Sequence, residues 1–331
     1  MAPPVEEALK VQALRDPRLH GEPAPAAIEV IETHFAWIFL SAREAYKMKK
    51  ALRLDRLDNR TLEARRFGCE EEVRLNRRLA PEVYLGVVPL RMRADGSLGL
   101  GSQGEPVEWL VRMRRLPRSK FLDQAIAARA LSLERLQPVA RLLAQFYATQ
   151  PPVRFTAGGY LTRLERRSAA CFAALQAPPL RLPGALLEAL REREHALCAQ
   201  VALALGDRDR DGRIVEAHGD LKAEHIFLGP PPCIIDCLEF DRDLRIRDPL
   251  EELASLELEC ERLGARWVAR TMLDAYLSRA QDELDEGVYA YYRMSCALQR
   301  ARTLAWHLLD PALCDRKDWA ALATEVLQRV A

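Results

Sequence analysis

Near Leu116-Pro117 the hydrophobic period of this chain changes, and that change limits the fold more than any other feature. Before it, short runs rich in β-branched and aromatic residues, separated by turn-sized gaps, read as strands: Ile28–His34, Ala36–Leu40, Glu44–Lys49, Val83–Met92 and Val107–Met113. One helix is inserted after the third strand, Thr61 to Leu79, with Leu62, Val73, Leu75 and Leu79 among its apolar positions and Pro81 as its stop. A short amphipathic helix over Pro4–Leu14 and a Pro- and Ala-rich loop through Ala27 come first. Beyond Pro117, apolar stripes at helical spacing mark Leu133–Tyr147, Leu161–Leu175, Ala185–Leu205, Leu250–Leu263, Arg266–Asp282 and Val288–Leu309. Only Ile214–Ala217, Ile226–Leu228 and Cys233–Ile235 interrupt them as short strands. The pattern predicts a β-rich first third and a helical remainder, an α+β chain.

At 331 residues the chain has room for two domains or one large two-part unit. Its 49 Lys and Arg against 48 Asp and Glu leave a net charge of +1 with the signs well mixed, which argues against a nucleic-acid binder or a protein held on an anionic membrane. No apolar run reaches the ~18 residues of a membrane span. Met1-Ala2-Pro3-Pro4 lacks the basic and apolar regions of a signal peptide, so a cytoplasmic location is expected. Cys69, Cys171, Cys198, Cys233, Cys237, Cys260, Cys296 and Cys314 are scattered and form no C-x-x-C; they are expected to be reduced and mostly buried. Lysine is scarce beside arginine, so a lysine inside a strand or tight motif invites a functional question. Nothing in the sequence fixes an oligomeric state.

The strongest chemical signal is His218-Gly219-Asp220-Leu221-Lys222-Ala223-Glu224-His225, followed by Ile234-Ile235-Asp236. A short strand ends in a tight loop holding one carboxylate, and a second strand delivers another at its end. Metal-assisted phosphoryl transfer needs such a pair: one to accept the acceptor hydroxyl's proton, the other to hold the metal that neutralises phosphates.

These motifs resemble the catalytic and metal loops of the aminoglycoside phosphotransferase (APH)-like kinases, and the first is close to the H-R-D-L-K-P-E-N of protein kinases. The resemblance implies a protein-kinase-like bilobal fold: an N-lobe over 1–115 with an antiparallel five-stranded sheet plus one helix, and a mostly helical C-lobe over 116–331. It implies ATP between the lobes, Mg²⁺ as cofactor, Asp220 as base, Asp236 as metal ligand and Lys222 reaching the γ-phosphate. Further matches follow the kinase order. Tyr46-Lys47-Met48-Lys49 sits where the phosphate-binding lysine belongs, and Glu70-Glu71-Glu72-Val73 where its glutamate partner belongs. Lys47 and Glu72 are the preferred pair, with Lys49 and Glu71 left open; the two lysines share one face of the strand because side chains alternate. Val111 to Pro117 resembles the fifth strand and hinge, so the backbone of Met113, Arg114, Arg115 and Leu116 is expected at the adenine edge. Asp248-Pro249-Leu250-Glu251-Glu252-Leu253-Ala254 resembles the family's D-P-x-x-D-L-A and also reads as a capping-box helix start. The chain resembles in particular the bacterial kinase-like domain often fused to a P-loop ATPase domain; no G-x-x-x-x-G-K-[ST] occurs, so only the first domain is expected here. His225 stands where the family has Asn. It either holds one metal, with Mn²⁺ favoured over Mg²⁺, or only hydrogen-bonds Asp236.

Three further patterns compete with this reading. Gly99-Leu100-Gly101-Ser102-Gln103-Gly104 matches G-x-G-x-x-G, yet strand-like Pro106–Leu110 follows it and it lies behind Lys47, so it reads as a hairpin connection. Phosphates would instead meet the turn near Thr33-His34. Asp207 to Ile214 imitates the start of a Ca²⁺ loop, but its twelfth position is His218 and arginines interleave the acids, so a solvated Asp-Gly turn is expected. His218, His225, Cys233 and Cys237 fit no common zinc spacing.

The expected activity is transfer of the ATP γ-phosphate to a hydroxyl of a small molecule whose identity is not readable. The run Glu239–Glu259, with Asp241, Asp243, Glu251, Glu252 and Glu257, suits a cationic acceptor as in aminoglycoside kinases, while Arg242, Arg245 and Arg247 suit a mixed-charge surface equally well. Two other readings stay open: a nucleotide-binding pseudokinase with a regulatory or scaffolding role, and a protein-modifying kinase.

Overall fold

A computed structural model describes residues 5–22, 27–54, 56–101, 103–177, 182–309 and 318–331; Met1–Pro4, residues 23–26, Ser102, Cys314 and Lys317 are among those outside it. In chain order the first elements are α1 (Glu7–Leu14), β1 (Glu29–Glu32), β2 (Ala36–Leu40), β3 (Glu44–Lys49), β4 (Arg53–Leu54), β5 (Leu57–Asp58), α2 (Leu62–Asn76), β6 (Tyr84–Met92), β7 (Leu98–Leu100) and β8 (Glu105–Arg114). Then come α3 (Leu122–Ala127), α4 (Leu133–Thr149), α5 (Gly159–Leu175), α6 (Gly184–Arg210), β9 (Val215–Glu216), β10 (Ile226–Phe227) and β11 (Cys233–Ile234). The last are α7 (Arg242–Arg245), β12 (Ile246–Arg247), α8 (Pro249–Arg262), α9 (Arg266–Ala280), α10 (Glu286–Trp306) and α11 (Trp319–Gln328). No described helix is long and apolar enough to cross a membrane.

Compactness divides the chain into two units, 1–121 with 227–243, and 122–226 with 244–331. The segment with Asp236 therefore falls in the first unit, whereas a division at 115/116 places it in the second. Its backbone explains this: the N–H of Asp236 donates to Tyr84 Oη at 3.1 Å and that of Cys237 to Asn76 Oδ1 at 2.8 Å.

The first unit is built on an antiparallel sheet of six strands in the order β1-β2-β3-β8-β6-β7, one more than expected. The extra strand is β7, which pairs Leu98 with Met92 and Leu100 with Leu90. Leu98 and Leu100 have strand alternation, but the glycine between them and those that follow disguise it as pure connection. Gly104 does serve the turn: at φ +95°, a Cβ there would lie 2.1 Å from the Met92 carbonyl oxygen, so only glycine fits.

Adjacent residues on β8 point to opposite faces of the sheet. Leu110 joins Phe39, Tyr46, Met48 and Leu90 beneath Val11 and Leu14 of α1. Val111 joins Tyr84 and Val83 beneath Cys69 and Val73 of α2. On β3 the same alternation sends Tyr46 and Met48 to the α1 side and leaves Lys47 and Lys49 for α2.

Glu108 of β8 ties both helices to the sheet. It accepts from Lys10 Nζ of α1 at 2.7 Å and from Arg65 Nε and Nη2 of α2 at 2.8 Å each, and all three side chains are buried. A carboxylate shared by two cations satisfies charges that would be costly to bury alone.

In the second unit α5, α6, α8, α10 and α11 enclose an apolar core. Helices α3, α7 and α11 go beyond the sequence reading. Helix α11 places Trp319, Ala323 and Leu327 in that core at helical spacing. Helix α6 runs to Arg210, so the alternating Asp/Arg run is a helix end rather than a loop. Arg208 turns inward to Asp248 and to Asp282 (2.9 Å), while Asp207 and Arg210 pair on the exposed face. The chain then turns through Gly212 at φ +74°.

Replacing Glu108 with alanine leaves Lys10 and Arg65 buried without their anion. It is expected to lower the unfolding free energy by about 3 kcal/mol, read as a lower urea midpoint at unchanged slope.

Candidate active site

Helix α2 begins with Thr61, whose hydroxyl caps the Ala64 N–H at 3.1 Å. Its inner face repeats at Arg65, Glu72 and Asn76, all buried. Glu72 is wholly buried, and both lysines of β3 reach it: Lys47 Nζ donates to Oε1 at 2.9 Å and Lys49 Nζ to Oε2 at 2.6 Å. Each lysine also holds a carboxylate of the 227–243 segment. Lys47 donates to Asp236 Oδ1 at 2.8 Å, and Lys49 donates to Glu239. Glu71 instead faces outward and pairs with Arg74 at 2.7 Å.

Electrostatics keep these groups ionised. Burial would lower the Lys47 pKa, but Asp236, then Glu72 and Glu239, hold it well above the ordinary value. Burial likewise pulls Lys49 down, and Glu239 and Glu72 outweigh it. Burial pushes the Glu72 carboxyl up, and the two ammonium groups bring it below the ordinary 4.5. Because that folded value is depressed, the contribution of Glu72 to stability is complete above 4.5 and is lost as pH falls through the folded value.

Asp236 has a left-handed backbone, φ +61°, rare outside glycine. The Tyr84 and Asn76 bonds hold it there, and Asn76 Nδ2 donates in turn to the Glu72 carbonyl at 2.9 Å. One helix thus supports both the glutamate and the loop that follows β11. The side chain of Asp236 is 44 % exposed. No described group of three or more His, Cys, Asp or Glu is arranged to hold a metal. A half-exposed hard carboxylate such as Asp236 still suits Mg²⁺, which binds one or two protein carboxylates and takes its other oxygens from water and phosphate.

At the end of β8 the N–H of Arg114 donates to the Val83 carbonyl and that of Arg115 to the Arg43 carbonyl, both at 2.8 Å. The Arg115 guanidinium spans Ser41 O at 2.8 Å and Glu29 at 2.7 Å. Met113 and Leu116 pack against the apolar cluster around Tyr84. The turn at Thr33-His34 is closed on itself, with Thr33 N and Oγ1 both donating to Ala36 O at 2.9 Å.

In the second unit the loop His218–His225 is suspended from α8. Glu252 Oε2 accepts from Tyr147 Oη at 2.8 Å and from His218 N at 3.1 Å, and Oε1 accepts from Gly219 N at 2.6 Å. Seven residues along the same helix, Glu259 accepts from Ala223 N at 3.1 Å. Burial raises the pKa of both carboxyls. The loop presents Asp220, 36 % exposed, with Lys222 Nζ 2.7 Å from its Oδ2. Burial lowers the Lys222 pKa, but Asp220 raises it by more. His225 Nδ1 bonds the Asp220 carbonyl at 2.9 Å. That contact fixes the ring and directs Nε2 away from it, as in metal-binding histidines, while also bracing the loop.

Sequence reasoning missed the supports: Tyr84, Asn76, Glu239 and Glu259. Asn76, four residues after Glu72 on the same helical face, was the findable one. The acidic run Glu239–Glu259 is not an open cation-binding face. Glu251 is buried against Arg167 at 2.8 Å, Glu257 against Arg266 at 2.7 Å and Tyr289 at 2.6 Å, and Asp241 pairs with Arg56 at 2.6 Å. Asp248 caps α8 through the Leu250 N–H at 2.9 Å, but Glu251 turns to the arginines instead of closing a capping box. The seven described cysteines are free and buried; Cys314 lies outside the described residues.

No protein-family model matches the chain. Over 280 residues, 83% of its length, it is 31% identical to uncharacterized proteins of Mycobacterium bovis and Mycobacterium tuberculosis, of whose length the match spans 54%. Among solved structures, a choline/ethanolamine kinase family protein from Mesorhizobium loti superposes with a TM-score of 0.58 at 15% identity, over 98% of this chain and 92% of that one. The GDP complex of aminoglycoside 2'-phosphotransferase-IIIa gives 0.55 at 16%, over 98% of both chains. Choline kinase from Cryptosporidium parvum gives 0.53 at 11%, over 98% and 93%. The expected fold, an antiparallel sheet with one helix and a mostly helical second part, is the fold of these proteins.

Glu252→Gln keeps size but replaces one accepting oxygen with a donor facing N–H and O–H groups. It is expected to cost about 1–3 kcal/mol of stability and to disorder the loop, seen as faster hydrogen exchange at Gly219 and Ala223. Glu72→Gln is expected to flatten the fall in stability below pH 4.5, measured as urea midpoint against pH.

Proposed function

We propose that this chain, which has the APH-like kinase fold shared with choline kinases, is a phosphotransferase that moves the γ-phosphate of ATP to a hydroxyl of a small molecule. The observation that carries this reading is Lys47 bridging Glu72 and Asp236, an ammonium fixed between a structural anion and a half-exposed one. Such an ammonium can exchange its exposed partner for phosphate oxygens while the buried partner keeps it in place.

In this reading Lys47 orients the α/β-phosphates, and the backbone from Met113 to Leu116 borders the base. The N–H groups of Arg114 and Arg115 are already spent, so the adenine edge is left to the carbonyls there and to Leu116. Asp236 would hold Mg²⁺, which supplies charge neutralisation on the phosphates. In this reading Asp220 aligns the acceptor hydroxyl and takes its proton, while Lys222, its ammonium 2.7 Å from that carboxylate, steadies it and is the residue proposed to meet the transferred group. Where Mn²⁺ supports the reaction better than Mg²⁺, His225 Nε2 is the ligand to examine. Lys47 and Glu72, held ionised by each other's charge, and a part-exposed Asp220 carboxyl beside Lys222 favour an active kinase over a pseudokinase. The proposed acceptor class follows the fold neighbours: a choline/ethanolamine kinase family protein, an aminoglycoside phosphotransferase and a choline kinase.

The test is nucleotide consumption with ATP and GTP against a panel of hydroxyl metabolites, in Mg²⁺ and in Mn²⁺. Asp220→Asn is expected to lower kcat by roughly 10²–10⁴ with nucleotide affinity kept. Turnover unchanged by that substitution overturns the assignment of Asp220. Label from γ-phosphate found on protein instead of a metabolite turns the reading to a protein kinase.

A further inference from the structure

The assignment above uses one lysine of β3, yet two are buried. Lys49 is 3 % exposed, deeper than Lys47, and cannot reach solvent as a surface lysine would. Its ammonium lies between Glu72 Oε2 and Glu239, extending the Lys47 contacts into a row of alternating charge: Asp236, Lys47, Glu72, Lys49, Glu239. The row is asymmetric. Asp236, at one end, is half-exposed, while Glu239 at the other is largely covered.

Helix α2 is shaped around this second lysine. Gly68 lies one turn before Glu72 in the interior of the helix, where glycine is disfavoured. A Cβ at Gly68 would come within 3.2 Å of Lys49 Cε and 3.3 Å of Cδ. The missing side chain leaves the channel through which Lys49 reaches the glutamate.

We propose that Lys49, backed by Glu239, is a positioning residue for nucleotide binding. It holds the second oxygen of Glu72 so that Lys47 can turn from Asp236 to a polyphosphate without leaving Glu72 unpaired in the core. With a single lysine, drawing the ammonium toward phosphate would weaken the only partner of a wholly buried carboxylate, and phosphate binding would bear that cost. With two, Glu72 stays neutralised and α2 stays in place whichever way Lys47 points. Glu239 in turn keeps Lys49 from competing for the phosphates itself. The inference rests on the phosphate-binding role proposed for Lys47.

The experiment uses the full chain and the pair variant Lys49→Met/Glu239→Gln, which removes one charge of each sign and leaves the net charge of the row unchanged. Folding is checked by circular dichroism and thermal midpoint. Binding is measured by calorimetry for a non-hydrolysable ATP analogue with Mg²⁺ and, separately, for adenosine. The pair variant is expected to bind the ATP analogue about tenfold more weakly and adenosine as the parent does, the scale of coupling between neighbouring charges. A merely structural pair would lower the thermal midpoint and weaken both ligands alike, or neither; either result overturns the proposal. Should the pair variant not fold, Gly68→Ala keeps every charge and only crowds the Lys49 stem. A smaller loss confined to the phosphate-bearing ligand supports the role, and no such selective loss overturns it. If the parent chain binds neither ATP nor GTP, the phosphotransferase reading fails and this inference with it.

Discussion

A carboxylate with no exposure to water cannot stand by itself, and in the first unit Glu72 is such a group. Left unpaired it would take up a proton or unfold its surroundings. Its two oxygens are met by two lysines from one strand, and each lysine then draws in another acid. Strand β3, helix α2 and the segment after β11 are thereby fixed by a shared electrostatic requirement. The packing agrees with it: Cys69 and Val73 seat α2 on the sheet, and Asn76 on the same face takes the backbone of the segment carrying Asp236.

The loop of the second unit follows another scheme with a similar result. Two carboxylates seven residues apart on α8 lie on one helical face and accept from main-chain N–H groups, so the loop is held through its backbone, with the His218 and His225 rings bracing it from within. Placing anions beneath peptide N–H groups supports a tight turn, on which Asp220 and Lys222 pair with each other.

Much of this was legible in the sequence, for reasons that differ residue by residue. The period-two rule put Lys47 and Lys49 on one face, and the helical stripe of α2 preferred Glu72, with Glu71 as the alternative that the structure turns outward. What pattern could not provide was distance: nothing in the spacing said that both lysines would share one glutamate, or that Glu239 would return to the second. Strand β7 was hidden because Gly99 interrupts the apolar alternation by which strands are recognised. The acidic stretch after Asp236 misled in the opposite direction, since carboxylates on a helix look solvated until the arginines that bury them, Arg167 and Arg293 among them, are found far along the chain. Local periodicity fixes which face a residue occupies, whereas long-range ion pairing decides what it faces.

The left-handed backbone at residue 236 also restricts which acid can stand there. Asp and Asn tolerate that conformation because their short polar side chains hydrogen-bond locally, whereas longer or β-branched side chains resist it. The main chain itself therefore prefers the shorter of the two natural carboxylates, before any metal or phosphate is considered. Asparagine is correspondingly the substitution that silences the charge at that position while leaving the path of the chain undisturbed.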